Sequence, residues 1–303
     1  MKVQIQLVTW NSAKDLPHFF ESVSKQQEPV YEVVCIDNNS QDETQSILKK
    51  ERVTTISLPK NTGFCHAHNI GFSKALLNQK IDAVLICNPD IILTPTCLQV
   101  LTKKMQSDKQ IGTVSGVLLR QNQLTEGLKN GIIDSAGIEK KFGYRFTNRG
   151  EGKMFDKSFK VDAEVFANTG ACFLISRVAL QAIATNKSKT VEFFDETFFA
   201  YKEDVDLGWR VQKKQLKNIC VGTVIGFHER HVKKTLGYMG KSSRIVELSY
   251  KNHLYLLRKH YRFINAPLES IGIIFYEFTK LSFLLLFRPK LLFKILRGGN
   301  SIL

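Results

Sequence analysis

Val3-Gln4-Ile5-Gln6-Leu7-Val8, followed by Thr9-Trp10-Asn11-Ser12, is a short apolar run that ends in polar residues and gives way to Leu16, Phe19, Phe20 and Val23 at helical spacing. Strand-length runs separated by helix patterns mark an α/β domain with a mostly parallel sheet. The unit recurs outward along the chain, with Val30–Ile36, Thr54–Leu58, Ala83–Cys87 and Thr113–Leu118 as further β-branched runs. Asn11 or Ser12 is placed to cap the first helix, and Ser40-Gln41-Asp42-Glu43 to open the second. From about Gln121 to Lys160 the pattern turns irregular and rich in glycine and basic residues, as expected of an excursion over the sheet face. Val161–Val165, Ala171–Ser176 and Asn218–Ile225 then resume the strand pattern.

In parallel sheets, ligands bind beyond the carboxyl ends of the strands. The polar residues there are therefore the ones to inspect. The first strand ends in Thr9-Trp10-Asn11-Ser12, the second in Asp37-Asn38-Asn39-Ser40-Gln41-Asp42, and the fourth in Asn88-Pro89-Asp90. After the third comes Asn61-Thr62-Gly63-Phe64-Cys65-His66-Ala67-His68-Asn69-Ile70-Gly71, a turn leading into a helix, whose amides can surround phosphate oxygens. Neither G-x-G-x-x-G nor G-x-x-x-x-G-K-[ST] is present, which argues against a dinucleotide or P-loop site. Ordinary caps and turns use the same residue types. Four such sets on one edge of a sheet imply a pocket.

The chain has 303 residues, 43% of them hydrophobic, enough for one large core or one core with a smaller appendage. Its six cysteines, Cys35, Cys65, Cys87, Cys97, Cys172 and Cys220, are scattered singly. That fits neither a disulfide framework nor a zinc ribbon and is expected of buried, reduced thiols in a cytosolic protein. No secretory signal pattern precedes the first strand. The formal charge of +15 is concentrated at the end: His228–Leu303 holds 14 Lys and Arg against 4 Asp and Glu, the remainder 29 against 24. There the apolar runs Ile271–Tyr276 and Leu281–Phe287 are broken by Glu277 and Lys280, short of the roughly 20 apolar residues of a spanning helix. Lys290, Lys294 and Arg297 share one helical face, with Leu292, Phe293, Ile295 and Leu296 mostly turned away. That pattern suits a helix lying on an anionic membrane surface. Packing on the body of the protein or on a second subunit is the alternative. A nucleic-acid partner is not expected, because the charge sits with apolar runs and not with an aromatic stacking platform.

Phe199-Ala200-Tyr201-Lys202-Glu203-Asp204-Val205-Asp206-Leu207-Gly208-Trp209-Arg210 packs three carboxylates into four residues. They are either the favoured acids of a helix N-terminus, with Leu207, Val211 and Leu216 as its buried face, or a site that manages charge.

Taken together, T-W-N, D-N-N-S-Q-D, N-T-G-F-x-x-x-x-N-x-G, N-P-D, T-G-A-C-F-L-I-S-R, Y-K-E-D-V-D-L-G-W-R and G-F-H, in that order over about Lys2 to His231, resemble the family 2 glycosyltransferases of the GT-A fold, in particular their rhamnosyltransferase-like branch. The resemblance implies a Rossmann-like, mostly parallel sheet flanked by helices. The catalytic domain would cover residues 1–231, with a nucleotide-sugar half to about 120 and an acceptor half from 121, and residues 232–303 would form a helical extension. It implies a divalent metal, Mn²⁺ or Mg²⁺, held by Asp90 and His228, with Asn88 standing where the better known D-x-D form has its first carboxylate. Thr9, Asn11, Asp37, Asn39 and Asp42 are assigned to the nucleoside, and Asn61, Gly63, Phe64, Asn69 and Asn88 to the rest of the nucleotide-sugar pocket.

By the same resemblance Asp204 is the base that takes the proton of the acceptor hydroxyl in an inverting transfer. Glu203, Trp209 and Arg210 position the acceptor or the helix, with Asp206 and Arg210 anchoring it by ion pairing or touching the donor. The implied donor is dTDP-rhamnose or a UDP-sugar and the implied acceptor a glycan or lipid-linked glycan at the cytoplasmic face of the membrane. A homodimer is left open. Two-carboxylate glycoside hydrolysis would require neither the N-P-D turn nor the nucleoside set. A nucleotide-sugar-binding protein without transfer activity is the remaining alternative.

Overall fold

The computed structural model describes residues 1–27, 30–121, 131–187, 190–229, 243–261 and 267–296. The His231 boundary and Arg297 lie outside them. In chain order the elements are β1 (Val3–Thr9), α1 (Leu16–Ser24), β2 (Val30–Asp37), α2 (Thr44–Lys50), β3 (Thr54–Ser57), α3 (Gly63–Leu77), β4 (Ala83–Cys87), β5 (Ile91–Leu93), α4 (Cys97–Gln106), β6 (Ile111–Arg120), β7 (Ile133–Ser135), β8 (Ile138–Lys141), β9 (Arg145–Asn148) and β10 (Ala163–Glu164). There follow β11 (Cys172–Ser176), α5 (Arg177–Ile183), β12 (Thr185–Lys187), β13 (Thr190–Glu192), α6 (Glu203–Lys213), β14 (Lys217–His228), α7 (Ser243–His260), α8 (Pro267–Phe287) and α9 (Pro289–Leu296).

The main sheet has the order β10-β14-β6-β11-β4-β1-β2-β3, with β5 on β14 and β7 on β6. β1, β2, β3 and β4 run parallel to their neighbours within that group, and so do β6 and β14; β11 lies antiparallel between β4 and β6. The chain is thus a mixed α/β fold with a central, mostly parallel sheet flanked by helices. β4 is buried throughout, as its unbroken apolar run Ala83-Val84-Leu85-Ile86-Cys87 requires of a strand covered on both faces. One face of the sheet, with Ile5, Leu7, Leu85 and Leu174, packs against Phe19 of α1 and Leu98 and Leu101 of α4 in one continuous core. All six cysteines are buried and free.

Two units divide the chain. One comprises Met1–Glu139, Asn148–Phe199 and Glu203–His231; the other comprises Lys140–Thr147, Ala200–Lys202 and Val232–Leu303. In the second, Val246 and Tyr250 of α7, Leu284 of α8, and Leu291, Leu292 and Ile295 of α9 form a small core.

Four sequence expectations need correction. The first helix begins at Leu16 with Pro17 in its first turn, and neither Asn11 nor Ser12 caps it through a side chain; the Ser12 carbonyl instead accepts from Asp15 N and Leu16 N. The strand expected over Val161–Val165 shrinks to Ala163–Glu164, which meet Cys220 and Ile219. Glu277 and Lys280 do not interrupt the C-terminal apolar pattern, for α8 runs through both, and Glu269–Phe287 is long and apolar enough, by length and composition, to cross a membrane. In α9 Phe293 is exposed beside Lys290 and Lys294, while Leu291, Leu292 and Ile295 are the residues turned inward.

Candidate active site

Strands β1 and β2 end side by side, with Thr9 paired to Asp37 in the ladder. Thr9 Oγ1 donates to Asp37 Oδ1 at 3.0 Å, Ser40 Oγ donates to the same oxygen, and Asp37 Oδ2 accepts from Gln45 Nε2 at 2.9 Å. Asp37 is fully buried, so its carboxylate braces the loop that follows it. Asn11 and Asn39 both take positive φ, 52° and 64°. Asn11 Oδ1 accepts from Gln41 N at 2.8 Å and Asn39 Oδ1 from Gln41 Nε2 at 3.1 Å. Asp42 accepts from Ala13 N and Thr44 N; these bonds outweigh the opposing effect of burial and hold its carboxyl below the usual range. The strand ends therefore form one hydrogen-bonded rim, with Trp10 exposed on it.

Asn38, to which the sequence reading assigned no role, ties this rim to the glycine turn. Its Oδ1 accepts from Thr62 N and Thr62 Oγ1 and its Nδ2 donates to the Gly63 carbonyl. Asn61 Oδ1 accepts from Gly63 N at 2.9 Å. Gly63 has φ +86°, and a Cβ there would stand 2.6 Å from the ring of Phe199, whose carbonyl accepts from Phe64 N. Asn69 is buried with all its polar capacity directed at one segment: Oδ1 accepts from Phe193 N and Phe194 N, and Nδ2 donates to the Phe194 carbonyl and Glu196 Oε1. It clamps the approach to the acidic helix. Phe64 and Phe194 stack around the buried ring of His68.

Beyond β4, the Asn88-Pro89-Asp90 turn leads into β5, which pairs with the end of β14 so that Ile91 faces His228. The Asp90 carbonyl accepts from Glu229 N, and His228 Nε2 stands 3.3 Å from Asp90 Oδ2. On its other side, His228 Nδ1 lies 2.8 Å from Oδ2 of Asp134, a fully buried residue of β7. Burial alone would lower the His228 pKa; the two carboxylates overcome it and raise it to about 9. Asp134 lies in the irregular stretch of the sequence, as a lone acid directly after the apolar pair Ile132-Ile133, and that was the available signal.

Among the described residues no group of three or more His, Cys, Asp or Glu is arranged to hold a metal ion. Asp90 and His228 form a pair, and Asp90 Oδ1 is buried with no hydrogen-bond partner. One imidazole and one carboxylate with an unsatisfied oxygen fit a divalent cation that takes its other ligands from diphosphate oxygens and water.

Asp204 is the second residue of α6. Its Oδ2 accepts from Gly170 N at 3.2 Å and its Oδ1 from Val205 N at 2.8 Å. The next residue, Ala171, accepts from Asn88 N through its carbonyl at 2.9 Å. The backbones of two adjacent residues, through the Gly170 N–H and the Ala171 carbonyl, thus join Asp204 to the Asn88-Pro89-Asp90 turn. Glu203 is buried at the helix start, where a Cβ on Gly170 would lie 3.5 Å from its Oε1. Asp206 and Arg210 form an ion pair at 2.9 Å, and Arg210 also donates to the carbonyls of Ile183 and Phe193. Trp209 packs edge-on against Phe166. The acidic segment is a helix start, with Leu207 and Val211 buried beneath it.

Residues 5–184 match the profile of Glycosyl transferase family 2. The chain belongs to that family. Among curated proteins, this family 2 chain is 26% identical over 109 residues to the uncharacterized glycosyltransferase YwdF of Bacillus subtilis, covering 35% of the chain and 39% of YwdF. It is 22% identical over 256 residues to the low-salt glycan biosynthesis hexosyltransferase Agl10 of Haloferax volcanii, covering 82% of the chain and 73% of Agl10. In fold it is similar to GalNAc-T7 solved with UDP, GalNAc and Mn²⁺, with a TM-score of 0.60 and 15% identity over 85% of the chain and 48% of GalNAc-T7. It is also similar to residues 1–349 of S. aureus TarS in complex with UDP-GlcNAc, with a TM-score of 0.54 and 14% identity over 86% of the chain and 68% of that structure.

Proposed function

We propose that this chain is an inverting glycosyltransferase that moves a hexose from a pyrimidine nucleoside diphosphate to a hydroxyl of a glycan or lipid-linked glycan. The observation that carries the reading is the Gly170-Ala171 backbone, which holds Asp204 through the Gly170 N–H and the Asn88-Pro89-Asp90 turn through the Ala171 carbonyl. A group that takes a proton from the acceptor and a group that meets the leaving diphosphate have to flank the same anomeric carbon, and a short backbone segment bonded to both supports that assignment. Asp204 accepts the proton of the attacking hydroxyl. The rim built on Asp37, Asn38 and Asn39 takes the nucleoside, and the Gly63 turn that Asn38 ties to this rim lines the phosphate side of the same pocket. Asp90 and His228 hold the divalent cation, which when bound neutralises charge developing on the diphosphate.

Two lines support a pyrimidine base. The N-P-D pattern resembles enzymes that use dTDP-rhamnose, and the similar solved structures carry UDP or UDP-GlcNAc. The test is a transfer assay of the full chain with Mn²⁺, a polyprenyl-diphosphate glycan acceptor, and either dTDP-rhamnose or UDP-hexoses. Asp204→Asn should bind the productive donor as tightly as the parent and transfer it at least about 100-fold more slowly. Transfer at the parental rate by that variant overturns the assignment of the base, and donor binding without transfer by the parent overturns the reading as an enzyme.

A further inference from the structure

The densest group of exposed large apolar side chains among the described residues lies on α8. Ile271, Ile274, Phe275, Phe278, Leu285 and Leu286 are each 55–74% exposed. At 3.6 residues per turn they fall within an arc of about 120° that runs from Ile271 to Leu286, roughly 23 Å of the helix. The opposite side of α8 is spent on α7. There Glu277 accepts from Tyr250 Oη at 2.6 Å and stands 2.8 Å from His253 Nε2, and Lys280 lies over the Tyr250 ring at 4.3 Å. Ser270 and Tyr261 share a hydrogen bond on that same side, and Ile273 packs against Leu257 and Tyr261.

Directly after α8, α9 buries Leu291, Leu292 and Ile295 against α7 and α8 while Phe293 and Lys290 face outward and Lys294 pairs with Glu247 of α7 at 2.8 Å. The helix after the stripe thus adds an exposed aromatic beside the Lys290 ammonium, in the part of the chain where Lys and Arg outnumber Asp and Glu 14 to 4.

We propose that α8 and α9 form an in-plane membrane anchor, with Ile271, Phe275 and Phe278 buried among the acyl chains of an anionic phospholipid surface and Lys290 at its headgroups. Charge decides the occupant: a second copy of so basic a segment would repel this one, whereas an anionic bilayer supplies both an apolar layer and the opposite charge. The helix lies in the surface and does not cross it, because crossing would carry Glu277, Lys280 and the polar face of α7 into hydrocarbon. The inference rests on the C-terminal helices alone and stands whether or not the transfer reading does.

The test is co-sedimentation of the full chain with phosphatidylcholine vesicles, with and without phosphatidylglycerol. Binding is expected with phosphatidylglycerol and to weaken with salt. Phe275→Glu/Phe278→Glu should bind at least about tenfold more weakly, and Lys290→Gln about fivefold more weakly on the anionic vesicles alone. Both carry changes at exposed positions and should keep the parental thermal transition; if the double variant loses it, the Lys290 variant and the salt series decide the matter. Alkaline carbonate should release the bound protein. No binding to anionic vesicles, binding indifferent to these substitutions and to salt, or resistance to carbonate would overturn the proposal. So would a dimer in solution that the double variant abolishes, since the face would then belong to a second copy.

Discussion

His228 is gripped from behind by Asp134: its Nδ1 lies 2.8 Å from a carboxylate that solvent does not reach, which leaves Nε2 directed at Asp90. A partner of this kind fixes the ring orientation of a histidine ligand and raises its basicity, and losing such a partner typically weakens metal binding 10–100-fold. Asp134→Asn keeps the volume and removes the charge. Its Mn²⁺ dissociation constant, read by titration calorimetry on protein whose circular dichroism matches the parent, should rise by about 10–100-fold. An unchanged constant would show that Asp90 alone orients the imidazole.

Gly63 is required by both its backbone and its neighbour. Alanine at φ +86° costs about 1–2 kcal/mol in conformation, and its Cβ would also push into the Phe199 ring at 2.6 Å. Phe199 itself has φ 55° at the start of the segment leading to α6, so it has little freedom to yield. Gly63→Ala should lower unfolding stability by at least about 1–2 kcal/mol in urea titration and weaken nucleotide binding. A variant with parental stability would mean that the turn relaxes without strain.

The sheet was readable where strands are buried on both faces. β4 is all apolar and matches the expected Ala83–Cys87 residue for residue. β5 and β7, three residues each, carry no period of their own; they exist because β14 and β6 offer them partners distant in sequence. Asp134 was hidden for the same reason, since only the pairing of β7 with β6 brings it to His228. Asn69 was legible as important but not in its role: it stands in a nucleotide-pocket motif, yet all four of its hydrogen bonds go to Phe193, Phe194 and Glu196. In α8 the error ran the other way. Glu277 and Lys280 look like interruptions until Tyr250 and His253 are seen to receive them.

His68 makes stability depend on acid. Its ring is fully buried among Phe64, Phe72 and Phe194, and Nδ1 accepts from Gln6 Nε2 at 2.7 Å, which requires the neutral form. Burial lowers its pKa to about 3. The unfolded chain takes up this proton below about pH 6.5 while the folded chain refuses it until about pH 3, so stability is complete above 6.5 and falls as the pH drops through that window. By pH 5 this histidine alone accounts for a loss of about 2 kcal/mol. His68→Gln should flatten that slope between pH 6.5 and 5 in urea titrations, whatever its stability at neutral pH. A parental slope in the variant would place the acid sensitivity elsewhere.

Arg210 is the anchor of the helix that carries Asp204. Its guanidinium pairs with the fully buried carboxylate of Asp206 and donates to the carbonyls of Ile183 and Phe193, three acceptors in three directions. Removing one partner of a buried pair leaves the other charge uncompensated and costs about 3–5 kcal/mol. Arg210→Ala should lose stability on that scale. Arg210→Lys keeps the charge but not the planar fork, and a compact ammonium on a flexible stem cannot reach all three acceptors at once. It should recover only part of the loss, and its transfer rate should stay below the parent's at saturating donor, because α6 then aims Asp204 less firmly. Full recovery by lysine in both stability and rate would mean that charge alone matters at this position and that the two carbonyl contacts contribute nothing to placing Asp204.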